Sequence, residues 1–165
     1  MAITELEARA ECRIGHVGPV LVTCWYSVVT VAALDAVQVH FLELAKRYEH
    51  ITVVTLGVNL TRAPQPDVRE RVKVLHPTIA KHRIGNIVVI LATGLGGILA
   101  RSFVAVLSLF TQENMLVVAS GEEAAKVARG LAKQVDEVKR NATLGADLAA
   151  YAKLPAPTLS QRPTG

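Results

Sequence analysis

The sequence predicts an α/β fold in which helices cover a mixed or mainly parallel sheet of four to five strands. Apolar runs of strand length alternate with segments of helical periodicity, an order that is typical of βαβ units. The strand-like runs lack a regular polar alternation, which indicates burial on both faces. Hydrophobic residues make up 51% of the chain although aromatic residues make up only 4%, so Val, Leu, Ile and Ala supply the core.

The chain organisation predicts one domain and a tail. The 165 residues have the size of a single domain, which we place at 1–154, and the proline-rich stretch 155–165 is expected to be disordered. The N-terminal segment lacks the basic start and apolar core of a secretory signal, and no apolar run reaches the roughly 20 residues of a bilayer span. We therefore expect a cytoplasmic protein without a membrane span.

The N-terminal part of the chain predicts a hairpin or a bent strand, followed by a long helix. Two extended stretches, 11–16 and 20–26, flank the Gly-Pro pair at 18–19, which favours a turn. Apolar residues then recur at steps of three and four from the N-cap Thr30 to Glu49. This periodicity indicates the first helix.

The middle of the chain predicts two strand–helix units. The β-branched run 51–59 indicates a buried strand, and Pro66 suits the first turn of the helix after it. We expect that helix to extend to Gly85 and to kink at Pro77. A further buried strand, 86–93, leads through a glycine-rich turn into a strongly apolar helix.

A last strand and a capped helix complete the predicted sheet. The run "MLVVAS" at 115–120 indicates the strand. Ser120 and Glu123 form a capping box, so a helix is expected to begin here, and its apolar face extends to Val138. The periodicity allows the helix to continue towards the C-terminus after a break near Gly145.

The glycine-rich turn at 94–97 is a candidate ligand site. Backbone N–H groups at such a strand-to-helix turn can bind a phosphate, and the same glycines are also typical of a tight corner. The corner is the favoured interpretation, because neither GxxxxGK[ST] nor GxGxxG is present. The residues that would bind a phosphate- or acyl-bearing ligand are Gly94, Gly96, Gly97, Arg101 and Ser102.

The remaining polar residues form no recognisable catalytic or metal-binding motif. Cys12 and Cys24 are the only cysteines and have no CxxC spacing, so we interpret them as free buried thiols. The five histidines include no HExxH, and no GxSxG is present. We predict no catalytic residue, no metal and no cofactor, although the residues leave an enzymatic activity open.

Basic side chains cluster in the helix at 67–83, in a chain of net charge +4. Such a face can bind RNA, an anionic lipid or an acidic protein patch. The favoured interpretation is nevertheless a helix surface that faces solvent. Aromatic residues are not interleaved for base stacking, so we expect no nucleic-acid partner. The basic residues are Arg69, Arg71, Lys73, Lys81 and Arg83.

The first helix carries more apolar residues than one buried stripe requires, and the helix at 98–110 is similar. A helix on one face of a sheet keeps a polar outer side, so the surplus side chains need another partner. We predict a homo-oligomer, with a second protein as the alternative partner. Short aliphatic side chains are also what an engineered assembly interface would contain. The predicted interface residues are Val31, Val37, Val39, Leu42 and Leu44.

Three segments of the chain resemble the SpoIIAA-like branch of the STAS and SEC14-like proteins. They are "CWYSVVTVAALDAVQVHFLELAKRY", "ITVVTLGVN" with its loop into "PDVRERVKVL", and the stretch from "NIVVILATG" to "GEEAAKVAR". The last segment is the most similar, in its Ala-Arg-Ser helix start, its short strand and the Glu-Glu-Ala of the next helix. The resemblance covers about residues 14–131. It implies a STAS-like fold and a noncatalytic module that works through protein contacts or binds a small ligand.

The phosphorylation site of this family is not matched. In phosphorylatable STAS domains an Asp-Ser pair stands at a helix start, whereas the corresponding region here reads Gly-Val-Asn-Leu-Thr at 57–61. Thr61 is the nearest hydroxyl, and no phosphorylation switch is expected. The residues favour a noncatalytic interaction or structural module that self-associates through apolar helix faces. The alternative is a small-ligand binding protein or enzyme that uses the glycine-rich turn.

Overall fold

A six-stranded mixed sheet with five helices forms the described part of the chain. The computed structural model describes residues 2–59, 62–111, 115–131, 138 and 141–158, without the side-chain surroundings at positions 96, 99, 103, 106, 107 and 109–111. The predicted α/β class is confirmed. The sheet is larger than predicted, since it has six strands where four to five were expected.

The strands follow one another across the sheet in chain order, from β1 at one edge to β6 at the other. The strands are β1 (Thr4–Ala8), β2 (Cys12–Val17), β3 (Val20–Trp25), β4 (Ile51–Gly57), β5 (Arg83–Ile90) and β6 (Leu116–Val118). The helices are α1 (Val31–Ala45), α2 (Pro66–Ala80), α3 (Gly94–Thr111), α4 (Gly121–Leu131) and α5 (Leu144–Ala152). Strands β1 to β3 are antiparallel, and β3 to β6 are parallel.

The predicted N-terminal hairpin is present, and a strand that the sequence did not predict precedes it. Strands β2 and β3 pair up to Val17 and Val20, and Gly18 in the turn has a left-handed φ of 52°. Strand β1 reads "TELEA" and lies mostly exposed at the sheet edge. It pairs with β2, and an ion pair of 2.6 Å joins Arg13 of β2 to Glu5 of β1. An exposed, charged strand has no apolar pattern, which is why it was missed.

Helices α1, α2 and α3 cover one face of the sheet. Successive parallel neighbours connected by right-handed crossovers place their helices on the same side. Leu21 of β3 and Val53 of β4 pack there with Phe41 of α1, Val68 of α2 and Ala100 of α3. The core on this face therefore draws on all three crossover helices.

Helices α4 and α5 cover the opposite face. Val22 and Val54 of the central strands pack there with Ala128 of α4 and Leu148 of α5. The two helices approach closely, because a Cβ atom at Gly121 would lie 3.0 Å from a backbone carbonyl oxygen of α5. The sheet is thus enclosed between two helical layers, which explains why its central strands are apolar on both faces.

The predicted helix starts are confirmed, whereas several boundaries differ. The Thr30 hydroxyl accepts a hydrogen bond from the Ala33 amide at 3.1 Å, and α2 begins at Pro66. Helix α1 ends at Ala45, and α2 ends at Ala80 with Pro77 inside it. Strand β5 therefore begins earlier than predicted, since its first residue already pairs with the start of β4.

The capping box before α4 is present in a slightly shifted form. The Ser120 hydroxyl accepts from the Glu123 amide at 3.2 Å, and the Glu123 carboxylate accepts from the Ala119 amide at 2.8 Å. The continuation of this helix at 132–137 lies outside the described residues. Before α5, the Asn141 side chain accepts a hydrogen bond from the Thr143 amide at 3.1 Å, which forms a turn.

The first residues of the predicted tail lie against the sheet. The Arg13 guanidinium donates to the Pro155 carbonyl through Nη2 at 3.1 Å and through Nε at 3.2 Å. Pro157 is buried. Pro155 and Pro157 therefore contact the rest of the domain, and residues 159–165 lie outside the described part of the chain.

Candidate functional site

A cavity of about 140 Å³ lies between the sheet and helices α1 and α2. We call it the central cavity. Its floor consists of side chains of the three central strands, and its roof consists of side chains of the two helices. Nine of the lining residues are apolar: Trp25, Val29, Leu34, Val37, Val53, Val72, Leu75, Ile79 and Met115. The lining is therefore that of a site for an apolar molecule.

The floor of the central cavity is polar at its centre. Thr23 and Thr55 are partners in the β3–β4 register, and Asn86 pairs with Val53 in the β4–β5 register. All three polar residues line the cavity. Residues Thr55 and Asn86 are half-buried although they lie in central strands that helices cover on both faces. Their exposure comes from the cavity.

A chain of hydrogen bonds crosses this floor. The indole Nε1 of Trp25 donates to the Thr23 hydroxyl at 3.2 Å, and the Thr23 hydroxyl donates to the Thr55 hydroxyl at 3.3 Å. Thr23 is only 2% exposed, so these bonds supply the partners that a buried hydroxyl needs. The chain ends at Thr55, whose hydroxyl faces the cavity.

The roof is built from one face of each helix. On α2, Val72, Leu75 and Ile79 recur at steps of three and four, which places them on one side. Leu34 and Val37 of α1 lie beside them at the same cavity. Since α1 and α2 pack against each other, their two apolar faces lie side by side above the floor.

A second cavity of about 70 Å³ continues the central cavity towards α3. The two share the floor residues Trp25, Thr55 and Asn86. The second cavity extends under Ala100 and Val104 of α3. A site that begins under α1 and α2 can therefore extend to the third helix of the same layer.

Two basic side chains add polar groups to the wall of the central cavity. They are His76 of α2 and Arg83 of β5, and neither is without other partners. The described residues that line the cavity include no carboxylate and no cysteine. Among the described residues, the Asn86 carboxamide has no hydrogen-bond partner. The floor therefore offers a polar group that a ligand can use.

The glycine-rich turn is the first turn of α3. Gly94 has a left-handed φ of 58°, and a Cβ atom at Gly97 would lie 2.6 Å from the carbonyl oxygen of Ala92. Both positions therefore require glycine for reasons of backbone geometry and close packing. This geometry supports the tight-corner interpretation at these two positions.

The other predicted residues of this turn have different surroundings. The Arg101 guanidinium lies close to the turn, with Nη1 3.6 Å from a Cβ position at Gly97. Arg101 and Ser102 are exposed. The surroundings of Gly96 lie outside the described part of the chain, as does Thr61, the hydroxyl nearest to the unmatched phosphorylation site. Of the predicted residues whose surroundings the structure describes, namely Gly94, Gly97, Arg101 and Ser102, none lines the central cavity.

The predicted interface residues of α1 have mostly internal contacts. Leu44 is buried, and Val31 and Leu42 are partly buried against the core. Val37 lines the central cavity, whereas Val39 is 57% exposed. Leu44 is therefore a core residue that offers little surface to a partner, and the α1 interface stays a prediction. Most apolar residues of α1 have contacts inside the protein, because this helix packs on α2 and on three strands.

The basic helix α2 is partly neutralised by acidic neighbours. Arg71 forms an ion pair of 2.6 Å with Asp35 of α1, and Lys73 forms one of 2.7 Å with Glu70. These pairs support the interpretation of a solvated helix surface.

Among the described residues, no three His, Cys, Asp or Glu side chains lie together as a metal site. None of the described helices has both the length and the apolar character that a membrane crossing requires.

Sequence reasoning missed the central cavity, although a signal for it was present. Each of the three central strands carries an uncharged polar residue that lines the cavity: Thr23 in "VLVTCW", Thr55 in "ITVVTLG" and Asn86 in "RIGNIVVI". A polar residue in a strand that is otherwise apolar needs a partner or a cavity. Only the strand register brings the three together.

Comparison with known proteins gives no relative from which a function can be transferred. The chain matches no protein-family model, no curated protein and no solved structure. Its function is therefore inferred from the geometry of the site.

Proposed function

We propose that the chain is a noncatalytic binding module that takes up a small, mainly apolar ligand in the central cavity. The observation that carries the proposal is an apolar cavity of about 140 Å³ beside a buried tryptophan. An engineered cavity of about 150 Å³ lined by aliphatic and aromatic side chains binds benzene. By the same comparison, a ligand of about six to eight non-hydrogen atoms, close to benzene in size, fits this volume.

Binding without catalysis is supported by the chemistry of the lining. Acid–base and covalent catalysis usually combine several reactive groups, drawn from histidines, carboxylates, lysines, cysteines and activated hydroxyls. The described lining residues offer His76 and Arg83 as their only ionisable side chains. The proposal is in keeping with the STAS-like resemblance, which implies a module that binds a small ligand or works through protein contacts.

Trp25 provides a direct assay for this proposal. It is the only tryptophan of the chain and lines the central cavity, so its fluorescence reports on occupancy. Benzene and toluene are titrated into the protein, and amide chemical shifts in ¹H–¹⁵N spectra locate the change. We expect saturable binding, with shifted amide signals in β3, β4, β5 and α2.

A matched pair of valine variants on α2 tests the location. Val72 lines the cavity, whereas Val74 on the same helix is 64% exposed. Val72→Phe fills the cavity and is expected to weaken binding at least tenfold, while Val74→Phe leaves binding unchanged. Circular dichroism confirms that both variants fold. The proposal is wrong if no ligand binds saturably, or if Val72→Phe binds as tightly as the wild type.

Self-association is a second candidate function, and a different observation favours it. Leu95 and Ile98 of α3 are 74% and 59% exposed, and Leu116 and Val117 of the edge strand β6 are 44% and 50% exposed. Large exposed apolar side chains are typical of protein interfaces, and these four belong to two consecutive elements of the chain. The surface around α3 is thus a better candidate for the predicted interface than α1.

Light scattering across a dilution series tests this candidate. A stable multiple of the monomer mass supports self-association, and a monomer at every concentration excludes it. Ile98→Lys and Val39→Lys then distinguish the two surfaces, since their side chains are 59% and 57% exposed. Loss of the oligomer in Ile98→Lys alone supports the α3 surface, and loss in Val39→Lys alone supports the α1 face predicted from the sequence.

A further inference from the structure

We propose that the central cavity selects neutral ligands that carry a hydrogen-bond acceptor on an apolar body, such as a small ketone or amide. This inference rests on the proposed function and names the ligand class of the same site. Three polar groups carry it, namely the hydroxyls of Thr23 and Thr55 and the carboxamide of Asn86. They lie on the floor, opposite an entirely aliphatic section of the roof on α1 and α2.

The direction of the hydrogen-bond chain leaves a donor at Thr55. An indole N–H can only donate, so Thr23 accepts the bond from Trp25. Thr23 then uses its own proton in the bond to Thr55, where the hydroxyl oxygen accepts. The Thr55 proton stays available for an acceptor in the cavity. Because each bond polarises the next one, this terminal hydroxyl is a stronger donor than an isolated threonine.

Asn86 supplies a second polar group close to the same place. Its register partner is Val53, and Thr55 follows two residues later on the same face of β4. A carboxamide offers two N–H donors and one acceptor. A carbonyl oxygen of a ligand can accept two hydrogen bonds, so Thr55 and Asn86 can both donate to it. The aliphatic part of the ligand then lies under α2.

A hydrocarbon of the same shape leaves these groups unpaired. When a ligand enters, it replaces the water that hydrates Thr55 and Asn86, and a ligand without an acceptor does not restore those hydrogen bonds. Sites that hydrogen-bond a ligand reject analogues that lack the matching group for this reason. The floor thus favours a polar atom at one end of the ligand.

The lining favours a neutral ligand over an anion. A carboxylate loses its hydration on entering an apolar cavity and needs a charged partner in compensation. His76 and Arg83 are the only described basic residues of the lining, and both already have partners. A neutral carbonyl compound requires no such compensation.

The test compares two isosteric ligands, cyclohexanone and methylenecyclohexane, which differ only in an oxygen atom and a CH₂ group. Dissociation constants are measured by Trp25 fluorescence and by amide shifts, for the wild type and for Thr55→Val. Loss of one neutral hydrogen bond corresponds to a change of roughly threefold to tenfold. We expect Thr55→Val to weaken cyclohexanone binding by about this factor, and to leave methylenecyclohexane binding unchanged or tighter.

Three further variants keep the test specific. Thr55→Ser retains the hydroxyl and is expected to bind cyclohexanone as the wild type does. Thr52→Val makes the same change on the other face of β4, away from the cavity, and is expected to have no effect. Asn86→Leu is an independent variant, should Thr55→Val fail to fold, and is expected to lower the preference for the ketone in the same way.

The outcomes separate this inference from the proposed function. If both ligands bind and neither Thr55→Val nor Asn86→Leu changes their ratio, the inference is wrong and the proposed function stands. If cyclohexanecarboxylate binds more tightly than cyclohexanone, the preference for neutral ligands is wrong. If neither cyclohexanone, methylenecyclohexane nor benzene binds, the proposed function itself fails.

Discussion

The hydroxyl oxygens of Thr23 and Thr55 lie 3.3 Å apart on neighbouring parallel strands, in the middle of a sheet face that three helices cover. Trp25 donates to the first of these hydroxyls, so a chain of hydrogen bonds runs through a largely apolar layer. The space above it is the central cavity. This relationship connects the stability of the sheet with its proposed binding function, because the same hydroxyls serve both.

Thr23→Val is expected to destabilise the protein. The substitution retains the shape of the side chain but leaves the buried indole N–H of Trp25 without its acceptor at 3.2 Å. An unsatisfied buried donor costs about 1–3 kcal/mol of the free energy of unfolding. Urea denaturation measures the change, and Thr4→Val on the exposed edge strand β1 is the control. Equal midpoints for the two variants would contradict the role of this hydrogen bond.

Two glycine-to-alanine variants are expected to change stability in opposite directions. At Gly97 the added Cβ atom would lie 2.6 Å from the Ala92 carbonyl oxygen, so the helix must shift. Overpacking of this kind costs about 1–3 kcal/mol. At Gly130 in α4 nothing lies within 4 Å, and alanine is expected to stabilise the helix by about 0.5–1 kcal/mol. Thermal denaturation checks both, and a stabilised Gly97→Ala would show that the corner is not tight.

The contact between β1 and α1 is expected to weaken in acid. Burial would raise the pKa of Glu7, but hydrogen bonds from His40 at 2.8 Å and Arg9 at 2.7 Å outweigh burial and hold this pKa below its usual range. A carboxylate whose pKa is lowered in the folded state stabilises the protein. This stabilisation is fully present above the ordinary glutamate pKa of about 4.3, and it is lost as the pH falls through the pKa of the folded state.

The comparison of wild type with Glu7→Gln measures this contribution. Urea midpoints are determined at about pH 6 and about pH 3, which bracket the titration of a glutamate. We expect the wild type to be the more stable at the higher pH, and the difference to shrink at the lower one. A difference that is the same at both values would mean that the ionised carboxylate contributes nothing.

Both cysteines are expected to react slowly in the folded protein. Cys12 and Cys24 are free and fully buried, as predicted, and burial raises their pKa values to about 12 and about 11. Since the thiolate is the reactive form, labelling at neutral pH requires opening of the sheet. A thiol reagent such as Ellman's reagent is expected to label both residues rapidly in urea and slowly without it. Rapid labelling of the native protein would contradict their burial.

The same two cysteines are not placed to form a disulfide. In the β2–β3 register Cys12 pairs with Trp25, and Cys24 pairs with Arg13. Successive residues of a strand point to opposite faces, so the two thiols lie on different sides of the sheet. Mass analysis after mild oxidation is expected to show no intramolecular disulfide in the folded protein, and its appearance would require a different register.

The elements that local chemistry specifies were predicted well from the sequence. The Thr30 cap of α1 and the capping residues Ser120 and Glu123 of α4 interact with amides only a few positions away. The apolar runs of β3 and β4 likewise have a local pattern, because helices bury them on both faces. Interactions between residues three or four positions apart can be predicted without knowledge of the fold.

Several features that depend on contacts between distant residues were not predicted. Strand β1 lacks an apolar pattern and is held by β2 and by the ion pair of Glu5 with Arg13. Strand β5 begins at Arg83 because that residue pairs with Ile51 of β4. The contacts of the apolar α1 residues with α2 and with the cavity likewise join residues that are distant in the chain. In each case, contacts with residues distant in the chain determine the structure of the segment.

By itself, the sequence determined the α/β class, the alternation of strands and helices, and the caps at which two helices begin. Only the tertiary structure decided where the cavity of the proposed ligand site lies. Thr23 and Thr55 are 32 positions apart in the chain, and their hydroxyls meet because β3 and β4 are parallel neighbours in one particular register. The cavity above them depends on how α1 and α2 pack over that register, which no local pattern encodes.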